Sequence, residues 1–243
     1  MNATDRGLPS RRARLREQLV DETRQAARQI AAAEGIDGLT LAAVARAVGV
    51  SPPALYRYFD GRNGLVRALY DDMTAELIVI VEDAVQRQDP HDLSSRLHAG
   101  SRAVFDWALA NRAAFDLLMG SSYRAVETTD GDLPHIIPRE LGGLFGQLFT
   151  ELWQRGTLDY PADDELPQPL REQVNTYQQA MNLHLPLGVA YLMITCWRQI
   201  YGVTCMAVYG HFGFAFGDHH ALFHDMITNL LKTLGLNPDT DPR

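Results

Sequence analysis

The chain has 243 residues, 46% of them hydrophobic, and a formal charge of −8. That much apolar content sustains a sizeable core and excludes wholesale disorder, and no run approaches the ~20 apolar residues that a membrane-spanning helix needs. The charge is uneven: residues 1–64 hold ten Arg against seven Asp or Glu, a balance of +3, and the remainder carries −11, so a modestly basic head precedes a strongly acidic body.

Residues 1–14 (MNATDRGLPSRRAR) lack periodicity and contain Gly and Pro, which predicts a flexible basic arm. No apolar stretch backs this N-terminus, so a secretory signal is not expected and the protein is placed in the cytoplasm. From Leu15 to Glu34, Leu19, Ala26, Ala27, Ile30 and Ala33 recur at helical spacing, and Gly35 supplies a stop. Thr40 is the expected cap of a short helix over 41–48, with Leu41, Val44, Ala45 and Val48 inward, and Gly49 ends it. Ser51 is the expected cap of the next helix, with Pro52 in its first turn and its end near Phe59.

Residues 62–87 carry one long amphipathic stripe, from Leu65 and Leu69 through Met73 and Leu77 to Val81. Further helices are predicted over 92–110, 111–120, 135–155, 170–184, 187–211 and 219–235. The segments 121–134 and 157–170 are turn-rich and acidic and predict mobile loops. No segment alternates as a strand does. The expected fold is all-α: a three-helix helix-turn-helix head over 15–61 and a larger helical body over 62–243.

The head contains LTLAAVARAVGVSPPALYRYF, in which Leu55 and Phe59 share a face with the core and Pro53, Ala54, Arg57 and Tyr58 point away, with Tyr56 at the flank. Such a face suits a DNA groove: Arg57 offers a fork to guanine, Ala54 a methyl to thymine, and the tyrosines offer hydroxyls to phosphate. The stretch TLAAVARAVGVSPPALYRYFDGRNGLV resembles the DNA-binding head of TetR-family transcriptional regulators across roughly residues 15–70. The resemblance implies that Pro53, Ala54 and Arg57 face bases, and that Thr40, Ser51, Tyr56, Tyr58 and Arg62 meet the DNA backbone. Arg62 stands where Lys is more usual, and Gly61 where Ser is common, so that end of the long helix is expected to fray. Further on, Trp197…Tyr201-Gly202 is similar to a Trp…His-Gly motif of one TetR subgroup, with Tyr in place of His.

Two-fold dimers place such heads on half-sites of one DNA face. The apolar residues of 187–211 and 219–235, among them Trp197, Ile200, Val203, Phe223, Ile227 and Leu230, predict a homodimer through those helices. A DNA operator and a small-molecule effector are the expected partners. Candidate effector-lining residues are Phe105, Trp107, Phe115, Met119, Tyr123, Phe149, Trp153, Tyr177, His184, Met193 and Trp197, although aromatics at this spacing also build plain cores. His220 and His224, four apart, could hold a metal with Asp218 or His211, but interface histidines are the commoner outcome, and no metal or cofactor is expected. Cys196 and Cys205, nine apart on one helix, are expected as buried, reduced thiols. No phosphate loop, nucleophile elbow, dinucleotide fingerprint or paired carboxylates point to an enzyme. The leading reading is a ligand-released repressor on a palindromic operator; an enzyme with an acquired head and a ligand-independent DNA binder are the alternatives.

Overall fold

The computed structural model describes residues 10–120, 136–211 and 213–237. Among them the regular elements are helices, in the order α1 (Arg11–Gly38), α2 (Leu41–Val48), α3 (Pro52–Leu55), α4 (Gly61–Gln86), α5 (Leu93–Ala110), α6 (Arg112–Met119), α7 (Ile136–Gln154), α8 (Gln168–Met181), α9 (Leu187–Val208) and α10 (His219–Thr233). The fold is all-α. The chain divides into two compact units, with the boundaries inside α4 after Met73 and inside α6 before Asp116. The head unit therefore keeps the first half of α4, beyond the boundary expected at residue 61.

In the head, α1 begins at Arg11, so the last residues of the expected arm are helical. Arg, Ala and Leu are good helix formers, and the Ser10 carbonyl accepts from Arg14 N at 3.0 Å once Pro9 is passed. Residues 1–9 lie outside the described residues. Gly35, at φ 72°, breaks α1 as the sequence anticipated, and the helical hydrogen bonding resumes briefly to Gly38. Thr40 caps α2 by accepting from Ala43 N at 3.1 Å, and Gly49 closes it in the left-handed region. The head core is Ala27, Ile36, Leu39, Leu41, Val44, Ala45, Leu55, Phe59, Leu65, Val66 and Leu69, all buried. Tyr70, fully buried, donates its hydroxyl to the Leu117 carbonyl.

The helix expected from Ser51 to Phe59 is shorter than its spacing implied. Pro52 and Pro53 occupy its first turn, where a missing amide breaks no helical bond; α3 ends at Leu55, and a turn carries the chain on to Phe59 through Tyr58 N→Leu55 O and Phe59 N→Leu55 O. Ser51 makes no side-chain cap bond. The amide it would reach at Pro53 does not exist, and Ala54 N bonds the Ser51 carbonyl instead, at 2.9 Å.

In the body, Phe105, Leu148, Phe149, Leu152, Val189, Met193, Ile227 and Leu230 sit at the centre of one apolar cluster. α5 is fixed by Asp92, whose carboxylate caps it through Ser95 N at 3.1 Å, and by Arg96, which pairs with Glu151 of α7 at 2.5 Å. The acidic segment expected to be mobile is anchored instead. Leu158 and Leu166 are buried, Glu165 accepts from Ala162 N at 2.8 Å, and Arg171 donates to the Asp163 carbonyl. α8 ends at Met181, with Asn182 at φ 52° as its cap, three residues before the expected end near residue 184. α9 ends at Val208 because Gly210 turns left-handed, and His211 N bonds Met206 O at 3.1 Å.

Candidate nucleic-acid interface and effector body

The outward side of the α2–α3 segment follows from what its inward side is obliged to bury. Leu55 is wholly buried and Phe59 nearly so. Between them Tyr56 keeps right-handed helical angles and Phe59 N bonds Leu55 O at 3.0 Å, which holds Leu55 and Phe59 on one side. Tyr56, expected at the flank, is the most exposed aromatic here at 63%. Tyr58, expected to point outward, is half-buried with the Arg16 guanidinium 5.4 Å from its ring centroid. Arg57 is exposed, and no hydrogen bond or ion pair holds it among the described residues. Ser51 and Pro53 are exposed, Ala54 is half-buried, and Thr40 is exposed with its oxygen spent on the cap.

Arg62 departs from its expected surroundings. Its Nε donates to the Leu39 carbonyl at 3.0 Å and its Nη2 to the Ile36 carbonyl at 2.6 Å, with Asp37 3.8 Å away. An arginine that reaches back 23 and 26 residues to main-chain carbonyls leaves no periodic trace in sequence. The same holds for Arg28 and Asp72, which tie α1 to α4.

Residues 24–69 match the model of the tetR family of bacterial regulatory proteins, and residues 97–230 match that of the tetracyclin repressor-like C-terminal domain. The chain belongs to the TetR family. The HTH-type transcriptional regulator Rv1816 of Mycobacterium tuberculosis is 26% identical over 197 residues, covering 81% of this chain and 83% of the relative. Among solved structures, SCO4313 aligns at a TM-score of 0.70 and 24% identity, over 93% of this chain and 100% of its own. The regulator FadR of Bacillus subtilis, solved with stearoyl-CoA, aligns at 0.55 and 14%, over 88% and 98%. At those identities the two structures speak for the TetR fold alone.

The expected effector-lining residues do not form one group. Phe105, Phe149 and Met193 are buried in the body's apolar cluster, with Trp153 and Tyr177 half-buried against it. Phe105 stacks on Phe223 at 4.6 Å and meets the His220 ring edge-on at 5.5 Å. Trp107 is buried and donates its indole N–H to Glu76 at 3.1 Å. Phe115 leans on Tyr201 and Tyr209 at 6.1 and 6.2 Å, and Trp197 stacks on Tyr201 at 6.0 Å. The tyrosine that replaces the motif histidine is thus held between two rings. Met119 belongs to the head unit, His184 is exposed beyond the end of α8, and Tyr123 lies outside the described residues.

Burial raises the Tyr177 hydroxyl above its ordinary pKa, and desolvation pushes the Cys196 thiol up to about 12. Both cysteines are free thiols; Cys196 is buried as expected, whereas Cys205 is only half-buried. The Asp218 carboxylate is engaged in capping α10, accepting from His220 N and Ala221 N, while His220 lies 3.6 Å from Asp106. No described helix is long and apolar enough to cross a membrane.

α10 buries Phe223, Met226, Ile227, Leu230 and Leu231 inside a single chain. Part of the apolar surplus that pointed to a two-chain bundle is therefore consumed within one protomer. Half-buried apolar residues remain on both helices, among them Ile194, Trp197, Tyr201, Val203 and Met206 of α9 and Leu222 of α10.

Proposed function

We propose that the chain is a cytoplasmic, ligand-responsive homodimeric regulator that grips a palindromic operator and is released by a small, mainly apolar molecule. The observation that carries the DNA part is the pairing of an anchored and an unoccupied side on nine residues. Leu55 and Phe59 are buried, while Tyr56 and Arg57 are exposed and Arg57 has no partner among the described residues. Arg57 would read guanine with its fork, Pro53 and Ala54 would supply apolar base contacts, and Thr40, Ser51, Tyr56 and Tyr58 would meet the DNA backbone. With so few direct hydrogen-bonding groups, DNA shape would supply part of the specificity.

The effector reading draws on the aromatic and aliphatic character of the body, with Tyr177 as a polar group that could orient a guest. A relative of the same fold was solved with stearoyl-CoA. The effector would act by biasing α4, which would alter the spacing of the two recognition segments on a palindrome that tolerates little mismatch. The dimer would form through α9 and α10. Selection of bound fragments from random duplex DNA tests the reading: a palindrome with half-sites about one helical turn apart supports it, and recovery of no preferred sequence overturns it.

A further inference from the structure

We propose that Arg62 is a positioning residue that sets the pitch of the recognition segment by clamping the two ends of the helix-turn-helix together, and is not a phosphate ligand. The inference rests on the DNA-binding reading above. The chain enters the helix-turn-helix through residues 36–39 and leaves it at α4, which starts at Gly61. Arg62 joins those two ends directly, with Nε on the Leu39 carbonyl and Nη2 on the Ile36 carbonyl.

The two acceptors differ. The Ile36 carbonyl lies in the last turn of α1, where partial negative charge collects, and also accepts from Leu39 N at 3.2 Å. Leu39 is fully buried, so leaving its carbonyl without a donor would be costly. A planar guanidinium can serve two carbonyls along two fixed directions. Its side chain is 36% exposed, set partly inside the head. The same clamp holds the first turn of α4, where glycine in place of a capping serine would otherwise leave the helix prone to fray. Everything between the clamped ends, from the Thr40 cap to Phe59, is then held as a closed loop. Its outer residues have one orientation with respect to α1 and α4 in the same unit.

Phosphate binding and clamping predict different behaviour. A lost phosphate contact weakens specific and nonspecific binding together and lowers the salt slope by about one. A lost clamp tilts the reading face, which harms the selected site and spares an unrelated duplex.

The test titrates the full-length wild type, Arg62→Ala and Arg62→Gln against the selected operator and an unrelated duplex at several salt concentrations. Gln is informative because its Nε2 lies the same number of bonds from the backbone as Arg Nε, so it can keep the Leu39 bond without charge. Arg62→Ala is expected to lose on the order of tenfold in operator affinity, with nonspecific affinity and salt slope unchanged. Arg62→Gln is expected to recover part of that loss.

The proposal is overturned if the slope falls by about one with both affinities dropping in step and Gln no better than Ala. It is equally overturned if the variants only melt earlier while both affinities and their ratio stay at wild-type values. Should Arg62→Ala fail to fold, Arg62→Gln is read on the same three quantities. A wild type that prefers no duplex would sink the DNA-binding reading itself, an outcome distinct from these.

Discussion

Asp72 of α4 holds Arg28 of α1 through one carboxylate oxygen: Arg28 Nη2 lies 2.7 Å and Nε 2.9 Å from Oδ2. The two residues stand 44 apart in sequence, yet this pair ties α4 to α1 within the head. Both side chains are about one-third exposed, so solvent screens much of the attraction. Arg28→Ala and Asp72→Asn should each destabilise the head by about 1 kcal/mol, with a coupling of roughly 0.5–1 kcal/mol in the double-mutant cycle. Urea unfolding of the four proteins measures it, and strictly additive losses would show that the pair contributes nothing.

Arg57 makes no intramolecular bond among the described residues, so its removal costs the fold little. Arg57→Ala should keep the wild-type melting temperature and lose about 1–3 kcal/mol of operator binding, with relaxed preference at a single base position. Anisotropy titrations on the selected site and on its single-base variants read both effects. An unchanged preference at every position would remove Arg57 from base recognition.

These two arginines mark the limit of what the sequence discloses. Element positions were legible because caps, glycines and apolar spacing are local: Thr40, Gly35, Gly49 and the stripe of α4 lie where their neighbours dictate. The half-burial of Tyr58 was not, since the Arg16 guanidinium beside its ring comes from α1, distant in sequence. Nor was the engagement of Arg62, because its acceptors are main-chain carbonyls of a distant segment and carbonyls have no side-chain signature. In the body, aromatic composition could not separate a wall from a core, and Phe105, Phe149 and Met193 turned out to be buried among other apolar side chains.

Gly188 begins α9 beneath the acidic segment, and a Cβ there would fall within clashing distance of the Pro161 carbonyl oxygen and 2.8 Å from the Tyr160 ring. The obstacle is partly backbone, which yields less readily than a flexible side-chain end. Gly188→Ala should destabilise the body by about 1–3 kcal/mol. Gly143, inside α7, would place its Cβ in open space, so Gly143→Ala should stabilise by roughly 0.5–1 kcal/mol through helix propensity. Thermal melts of the two variants should therefore shift in opposite directions, and a common direction would contradict the packing described.

Cys196 and Cys205 share α9 but differ in burial, and desolvation raises both thiols, Cys196 to about 12. A thiol whose folded pKa exceeds its unfolded one favours the folded state while it is neutral. That contribution is intact below the ordinary thiol value of about 9 and is lost as pH rises from there toward 12. Native protein should thus label first at half-buried Cys205, with Cys196 reacting only on unfolding, and Cys196→Ala should reduce the loss of stability above pH 9. Mass spectrometry after timed alkylation reads the order. Equal labelling rates in the native state would place Cys196 nearer solvent than the structure has it.

Gly202 sits in the second half of α9, half-buried, and a Cβ at that position meets nothing within 4 Å inside the single chain. It lies next to Tyr201 and Val203, in the same stretch that α10 leaves half-covered. A glycine in a helix interior costs about 1 kcal/mol against alanine, and the space left by its missing Cβ would admit the close approach of a second helix. If α9 is the dimer seam, Gly202→Leu should leave the protomer folded, and even raise its helical stability, while driving the helices of two chains apart. Sedimentation should then show a folded monomer, and operator binding should weaken because one head reads only one half-site. A variant that remains dimeric and binds the operator as before would move the seam away from this face of α9.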